Sequence, residues 1–139
     1  MPAKSPDSKL MAAMYTAFSA ITYGGETVSV HSGIPENPYY PYILIQNITT
    51  SETQNKDPYS WESDALVEVV TGFRGGSGSK KPADEISDDV IEAMYNLTLA
   101  DTFNIEEVRL DFSDYLTGET DTSKIVRKLL RFNIRLEQL

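Results

Sequence analysis

The C-terminal part of the chain has the clearest alternation of apolar and polar positions. Between about Lys124 and Glu137, one parity carries Val126, Leu130, Phe132, Ile134 and Leu136, and the other carries Arg127, Arg131 and Arg135. Successive side chains of a strand point to opposite faces. The pattern therefore predicts a strand with one face on a core and a row of arginines on the other.

Two other segments have the three- and four-residue spacing of amphipathic helices. The first covers about residues 6–20, starts at Ser5-Pro6-Asp7 and is expected to stop near Gly24-Gly25. Its apolar positions are Leu10, Met11, Met14, Phe18 and Ile21. The second begins at Pro82, and its apolar stripe is Ile86, Val90, Met94 and Leu97.

Four further segments predict strands, over residues 27–31, 41–49, 61–73 and 105–115. In the third, Ala65, Val67 and Val69 are expected to face in, and Glu62, Asp64 and Glu68 to face out. In the fourth, Val108, Leu110 and Phe112 are expected to face in, and Glu107, Arg109 and Asp111 to face out. Gly118 is in the turn before the last strand, which predicts a hairpin. The order α-β-β-β-α-β-β predicts a single α+β domain over residues 1–139, with a mostly antiparallel or mixed sheet of about five strands and two covering helices.

Composition narrows the classes of function. The chain has 139 residues, a formal net charge of -9 and no cysteine, which excludes disulfides, thiolate zinc sites and cysteine nucleophiles. No apolar run approaches the roughly 18 residues that span a membrane, and no signal-peptide pattern is present, so no membrane partner is expected. Because nonspecific nucleic-acid binding needs Lys and Arg, an acidic chain is a poor candidate for it.

The segments that could carry chemistry have simpler structural interpretations. The stretch R-G-G-S-G-S-K-K lacks the spacing of a phosphate-binding loop and precedes an acidic helix start. His31 is the single histidine, and the carboxylates Asp111, Asp114, Glu119 and Asp121 lack the oxygen spacing of a calcium loop. We therefore assign no catalytic, cofactor or metal residue, and expect a protein that is not an enzyme.

Contact with other proteins is the better-supported class. The Pro/Tyr cluster around Tyr39 and Tyr40 fits a partner surface, or else a rigid connection that directs the next strand. The acidic row Glu62, Asp64 and Glu68 complements the basic row Arg127, Arg131 and Arg135. If the two strands are neighbours, these rows pair within the subunit; if the strands are on opposite flanks, they suit a head-to-tail ring. The sequence leaves both arrangements open.

Several segments together carry a resemblance to a known family. They are L-M-A-A-M-Y-T-A-F in the first helix, V-S-V-H, the turn P-E-N-P-Y-Y-P-Y-I-L-I-Q, the acidic strand, the Gly/Ser loop with its helix, and the terminal F-N-I-R-L. In this order, over nearly the whole length, the chain resembles the small tail-terminator or tail-completion proteins of long-tailed bacteriophages. Residues 34–46 are the most specific part.

The resemblance implies a non-enzymatic subunit that forms a homohexameric ring on the last disc of the tail tube, stops tube growth and offers a surface to the head or neck connector. It implies that the partners are copies of itself, the major tail tube protein and the connector. DNA passing through the ring lumen would be the one nucleic acid it meets. It places the protein in the virion tail or neck, with assembly in the host cytoplasm and no cofactor. Its docking loops would include Gln54, Lys56 and Tyr59, and Arg74, Lys80 and Lys81.

Two alternatives stay open at this point. One is another ring-forming neck component, such as a head-completion or connector protein. The other is a small hydrolase or nuclease that uses Asp and Glu residues with His31.

Overall fold

The computed structural model describes residues 5–33, 35–36, 39–53, 60–74, 79–99, 103–119 and 123–139. Its elements are α1 (Asp7–Ser19), β1 (Thr22–Tyr23), β2 (Glu26–Thr27), β3 (Ser29–His31), β4 (Tyr42–Glu52), β5 (Ser60–Arg74), α2 (Lys81–Tyr95), β6 (Phe103–Glu119) and β7 (Ser123–Gln138). The predicted α+β class and the order of the main elements are confirmed. The pair β1–β2 is an additional small sheet.

The start of α1 follows from the local sequence. The backbone N–H of Asp7 donates to Ser5 Oγ at 3.3 Å, and the Asp7 carboxylate accepts a hydrogen bond from the Thr50 hydroxyl of β4. These bonds fix the first turn and attach it to the sheet. The buried positions, four residues apart on one face, are Leu10, Met14 and Phe18. Within the ranges that the structure describes, neither α1 nor α2 is long and apolar enough to cross a membrane.

The chain between α1 and β3 differs from the prediction. Helix α1 ends at Ser19, and Gly24 and Gly25 form the turn between β1 and β2 at φ values of 62° and 84°. This left-handed backbone region favours glycine and makes a tight hairpin turn. Val28, 2% exposed, then turns into the core, and its N–H donates to the Ile21 carbonyl at 3.0 Å. The predicted strand over residues 27–31 is therefore divided, and only β3 joins the main sheet.

The main sheet has the strand order β3-β4-β5-β7-β6. Strand β3 is parallel to β4, and the other three neighbouring pairs are antiparallel, so the sheet is mixed. The predicted hairpin of the last two strands is confirmed by the pairing of β6 with β7. Strand β5 is the other neighbour of β7. The acidic strand and the arginine strand therefore lie side by side in one chain, which decides between the two arrangements that the sequence left open.

Both helices cover the same face of the sheet. Met14 of α1 and Val90 of α2 belong to one core cluster with Val67 of β5 and Phe132 of β7. The predicted two-faced character of β7 is confirmed, because Leu130, Phe132 and Ile134 are fully buried whereas the three arginines are exposed. Each large apolar side chain that is buried in this way contributes roughly 1.5–3 kcal/mol.

A bulge in β6 reverses the direction of its side chains. The register with β7 shifts between Leu110 and Phe112. A bulge adds one residue to one strand, so the residues after it point to the other face. Val108 and Leu110 contact the core as predicted. The prediction that Phe112 also faces the core was wrong: it lies opposite Arg131, on the face without helices, and is 43% exposed.

Candidate interface on the open face of the sheet

We call the sheet face away from both helices the open face. It includes residues from four strands, and the pairing registers place them on one side. They include Tyr42 and Leu44 of β4, Glu62, Asp64 and Glu68 of β5, Arg127, Arg131 and Arg135 of β7, and Phe112 and Leu116 of β6. All six charged residues that the sequence predicted for an interface therefore lie on one surface.

Two residues of the acidic row, Glu62 and Asp64, have partners on β7 within the chain. Asn133 of β7 lies opposite Asp64, and its amide donates to Glu62 Oε1 at 2.8 Å and to Asp64 Oδ1 at 3.0 Å. Arg131 Nη2 lies 3.7 Å from Asp64 Oδ2. The sequence reasoning overlooked Asn133, although an amide within a row of arginines is the signal that could have identified it. These contacts engage Glu62 and Asp64 within the chain, so that the two rows meet in one subunit.

Part of the basic row has no partner. Arg127 and Arg135 are exposed, and neither has a carboxylate oxygen within 4.0 Å among the residues that the structure describes. Arg131 is half exposed and its pair with Asp64 is long, so that this pair contributes only about 0.2–1 kcal/mol. The guanidinium groups of this row are therefore available to a partner.

Glu68 differs from the other two acidic residues. It lies between Leu44 and Leu129 on the neighbouring strands, and only 5% of it is exposed. It points to the open face as predicted, but its neighbours cover it. The accessible acidic charge on β5 therefore comes from Glu62 and Asp64.

The segment before β4 covers one end of the open face. The ring of Tyr40 lies against Gly72, where an added Cβ would come within 2.5 Å of Tyr40 Cδ2, and its centroid is 5.7 Å from that of Tyr42. Glycine at position 72 is what allows this close approach. Tyr39 is 88% exposed. Tyr40 therefore has a structural contact, and Tyr39 is the tyrosine that stands free for a partner.

His31 has a structural environment. Its ring packs edge-on against Tyr42 at a centroid distance of 5.6 Å. Burial raises the pKa of Tyr42. The nearby positive charge of Arg127 opposes this rise, and the negative charge of Glu68 adds to it. Among the described residues, no three His, Asp or Glu side chains are grouped so that they could hold a metal ion.

A shallow depression of about 200 Å³ lies where β4, β5, β6 and β7 end. Its lining includes Thr53, Trp61, Glu62, Glu106 and Arg135. The Trp61 indole Nε1 and the Thr53 hydroxyl are buried there, and neither has a hydrogen-bond partner among the described residues. Thr53 and Ser60, which line this depression, flank residues 54–59 in the sequence, where the resemblance placed one docking loop.

The predicted docking residues have different positions. Gln54, Lys56 and Tyr59 lie outside the described residues. Arg74 is the last residue of β5 and pairs with Ser123. Lys80 directly precedes α2, with its Nζ 4.6 Å from the centroid of the Tyr115 ring, and Lys81 is 3.7 Å from Glu85.

A charged cluster that the sequence reasoning missed lies on the helix-covered side. Lys128 shares the apolar parity of β7, and its Nζ donates to Asp84 Oδ1 of α2 at 2.8 Å. The Tyr115 hydroxyl of β6 donates to the same oxygen, and its ring lies 5.2 Å from Lys128 Nζ. The bonds from Lys128 and Tyr115 lower the pKa of Asp84. This cluster attaches the start of α2 to both strands of the hairpin.

The same bonds act on the two donors. The bond to Asp84 raises the pKa of Tyr115. For Lys128, burial is the largest single influence and lowers the pKa, but the hydrogen bond to Asp84, the charge of Asp84 and the neighbouring Tyr115 together outweigh it, so the net direction is upward. The carboxylate therefore holds both donors in their protonated forms.

Comparison with known proteins finds a similar fold among solved structures. No protein-family model and no curated protein matches the chain. A chain in the solved structure described as "Virion of native gene transfer agent (GTA) particle" is similar to it, with a TM-score of 0.73 and 17% sequence identity. The match covers 97% of this chain and 99% of that chain. The two chains therefore share one fold from end to end.

Proposed function

We propose that this protein is a structural component of a virion, and more specifically a tail terminator. In this role it forms a homohexameric ring on the end of the tail tube, stops tube growth and provides the surface on which the head or neck connector docks. In this role the protein is located in the tail or neck of the virion.

The observation that carries the proposal is the end-to-end likeness to a chain of a gene transfer agent virion, at a TM-score of 0.73 over 97% of the chain. The resemblance of the sequence to tail-terminator proteins points in the same direction and rests on different features, namely short segments and their order. Almost no part of either chain is left over, so the likeness concerns the whole subunit.

The surface of the subunit fits a role in assembly. Phe112 and Leu116 are exposed by 43% and 51% on the open face, opposite Arg131, which has only a long pair with Asp64, and Arg127, which has no ion-pair partner among the described residues. Exposed apolar side chains next to unpaired charge are typical of a surface that another protein covers. The net charge of -9 favours separate subunits in solution until a specific contact forms.

The test uses purified protein and tail tubes assembled from the major tail tube protein. Sedimentation velocity measures the ring in solution, and electron microscopy of the mixture shows whether rings cap the tube ends and limit tube length. We expect rings of six subunits and capped tubes. A protein that stays monomeric and leaves tube ends free would contradict the proposal.

The arginine row supplies a specific variant. Arg131→Glu combined with Arg135→Glu should leave the monomer folded, because both side chains are largely exposed. It should weaken ring formation or tube binding, because it reverses charge on the proposed contact surface. The charge-retaining variant with lysine at both positions is the matched control and should behave like the wild type. Equal assembly of the glutamate and lysine variants would show that the row is merely solvated.

The alternative role as a head-completion or connector protein differs from the terminator role in the structure that the protein binds. A terminator caps isolated tubes, whereas a head-completion protein binds DNA-filled heads. Incubation of the labelled protein with tubes and with heads, followed by sedimentation, distinguishes the two.

A further inference from the structure

The outer surface between the two helices forms a groove. It measures about 550 Å³ and lies between α1 and α2. Small side chains account for most of its lining, which consists of Ala12, Ala13, Thr16, Ala17, Ala93, Asn96, Leu97 and Thr98. Apolar side chains from another protein could enter it without displacing any large group.

Helix α1 has an unusual surface. No Asp, Glu, Lys or Arg occurs between Leu10 and Gly25, although charged residues make up 24% of the chain. A surface helix normally has charged or polar residues opposite its buried face. From Leu10 to the end of α1 the exposed positions are Ala12, Tyr15, Thr16 and Ser19, and none of them is charged. A protein that packs on this part of the helix does not have to desolvate a charged side chain.

Charge borders the groove on the α2 side. Asp89 precedes Ala93 by four residues and Glu92 precedes Asn96 by four, so these pairs share one side of the helix. Both carboxylates are exposed, and neither has an ion-pair partner in the described ranges. On the opposite wall, exposed Lys9 precedes Ala13 by four residues. The lining is therefore uncharged, with acidic residues of α2 one helical turn from it on one side and Lys9 of α1 one turn from it on the other.

The open face carries the complementary pattern. Phe112 and Leu116 project from β6, with Arg131 and Arg127 opposite them on β7 and Asp114 between them. The two apolar side chains correspond to the uncharged lining of the groove. The two arginines correspond to the acidic residues of α2, and Asp114 corresponds to Lys9.

We propose that the occupant of the groove is a second copy of this chain, whose Phe112 and Leu116 insert between α1 and α2, with Arg127 and Arg131 facing Asp89 and Glu92. The groove is on the helix layer and the inserting residues are on the opposite layer, so the contact is head-to-tail and repeats from copy to copy. The proposal deepens the proposed ring-forming role and rests on it, because a head-to-tail contact closes into a ring when its rotation allows.

The closing experiment mixes two variants that each lack one half of the contact. The first, Phe112→Ser with Leu116→Ser, keeps its groove. The second, Thr16→Trp, fills the groove and keeps its inserting residues. Circular dichroism checks folding, and Ser8→Trp, an exposed α1 position that does not line the groove, is the control for the second variant.

Wild type and the Ser8→Trp control should form rings in sedimentation velocity, and each contact variant alone should sediment as a 15.5 kDa monomer. An equimolar mixture of the two contact variants should give a dimer of twice that mass and nothing larger, because only one compatible contact remains. A monomeric wild type, a contact variant that still forms rings, or a mixture without dimers would overturn the proposal. A two-fold or unrelated contact, or a groove that serves another protein, would give one of these results.

Exchanging the signs of the charges on the two surfaces tests separately whether the arginines of the open face meet the acidic residues of α2. Arg127→Glu with Arg131→Glu should be monomeric, and adding Asp89→Arg with Glu92→Arg should restore rings. Four substitutions that leave the protein folded and monomeric would overturn the assignment of these charges to one contact. Tube capping is measured separately. A dimer in the variant mixture without tube capping by the wild type would leave the contact in place and remove the terminator role, whereas capping by the wild type with no dimer in the mixture would do the reverse.

Discussion

Replacing Lys128 with methionine tests how the start of α2 is held on the sheet. The Lys128 side chain is only 12% exposed, and its Nζ donates to Asp84 Oδ1 at 2.8 Å. Methionine keeps the apolar stem and removes the ammonium group. The Asp84 carboxylate is 42% exposed and retains the hydrogen bond from Tyr115, so water and this hydroxyl limit the cost of its lost partner.

The magnitude follows from these exposures. A hydrogen bond to a charged group contributes about 1.5–3 kcal/mol when it is buried, and an exposed ion pair contributes about 0.2–1 kcal/mol. Because one partner is nearly buried and the other is not, we expect Lys128→Met to lower the free energy of unfolding by about 1–2 kcal/mol. The matched control is Lys81→Met. Lys81 lies 3.7 Å from Glu85 with side chains 77% and 47% exposed, so its loss should cost less than about 0.5 kcal/mol.

Acid dependence gives the same cluster a second signature. The pKa of Asp84 is lowered by folding, so its contribution to stability is complete above the unfolded value of about 3.9 and is lost as pH falls through the lower folded value. Without Lys128 the pKa of Asp84 moves back toward the unfolded value. The stability that Lys128→Met has lost should therefore be visible at neutral pH and should shrink as the pH falls through the lowered pKa of Asp84 in the wild type, below which both proteins have a protonated carboxyl group.

Urea unfolding monitored by the fluorescence of Trp61, the single tryptophan, measures both effects across this pH range. The double-mutant cycle with Asp84→Asn isolates the pairwise energy. Equal losses for Lys128→Met and Lys81→Met, or a difference from the wild type that does not change with pH, would refute the reasoning.

Two further predictions compare matched positions by the same unfolding measurement. Phe132→Ala removes a fully buried ring and should cost about 3–5 kcal/mol, whereas Phe112→Ala on the open face should change stability by less than about 0.5 kcal/mol; similar losses would place Phe112 in the core after all. Gly72→Ala should cost about 1 kcal/mol because the new Cβ would meet the Tyr40 ring at 2.5 Å, and Gly118→Ala, with no heavy atom within 4 Å, should cost nothing; a neutral Gly72→Ala would mean that the Tyr40 ring moves away freely.

The sequence predicted those parts of the fold that depend on regular alternation. Strand β7 and the apolar stripe of α2 are found where the spacing placed them, because nothing interrupts their periodicity. Phe112 was misplaced because the bulge at residue 111 adds one residue that a count of parity does not detect. Lys128 was overlooked because a charged residue on an apolar parity is recognised only when its partner is known. Asp84 lies 44 residues away in the chain, and only the packing of α2 on β7 brings the two together.

The acidic and basic rows were also predicted only in part. The sequence showed which residues form each row, but whether the two rows meet within one chain depends on the order of the strands in the sheet. Strands β5 and β7 are neighbours in the sheet, although α2 and β6 come between them in the sequence. The pairing of Glu62 and Asp64 with Asn133 and Arg131 then follows from the register.

This strand order also bears on the proposed assembly of copies of this chain. With Glu62 and Asp64 engaged by Asn133 and Arg131, the exposed carboxylates that the arginines of another copy could meet include Asp89 and Glu92 on the outer side of α2. A two-fold contact between helix layers would oppose these carboxylates to themselves, and a two-fold contact between open faces would leave both grooves empty. A head-to-tail contact satisfies the exposed apolar residues, the groove and both signs of charge in one interface. A head-to-tail contact forms a closed ring when the rotation between copies allows it and an open filament otherwise, so the proposed contact predicts an assembly larger than a pair.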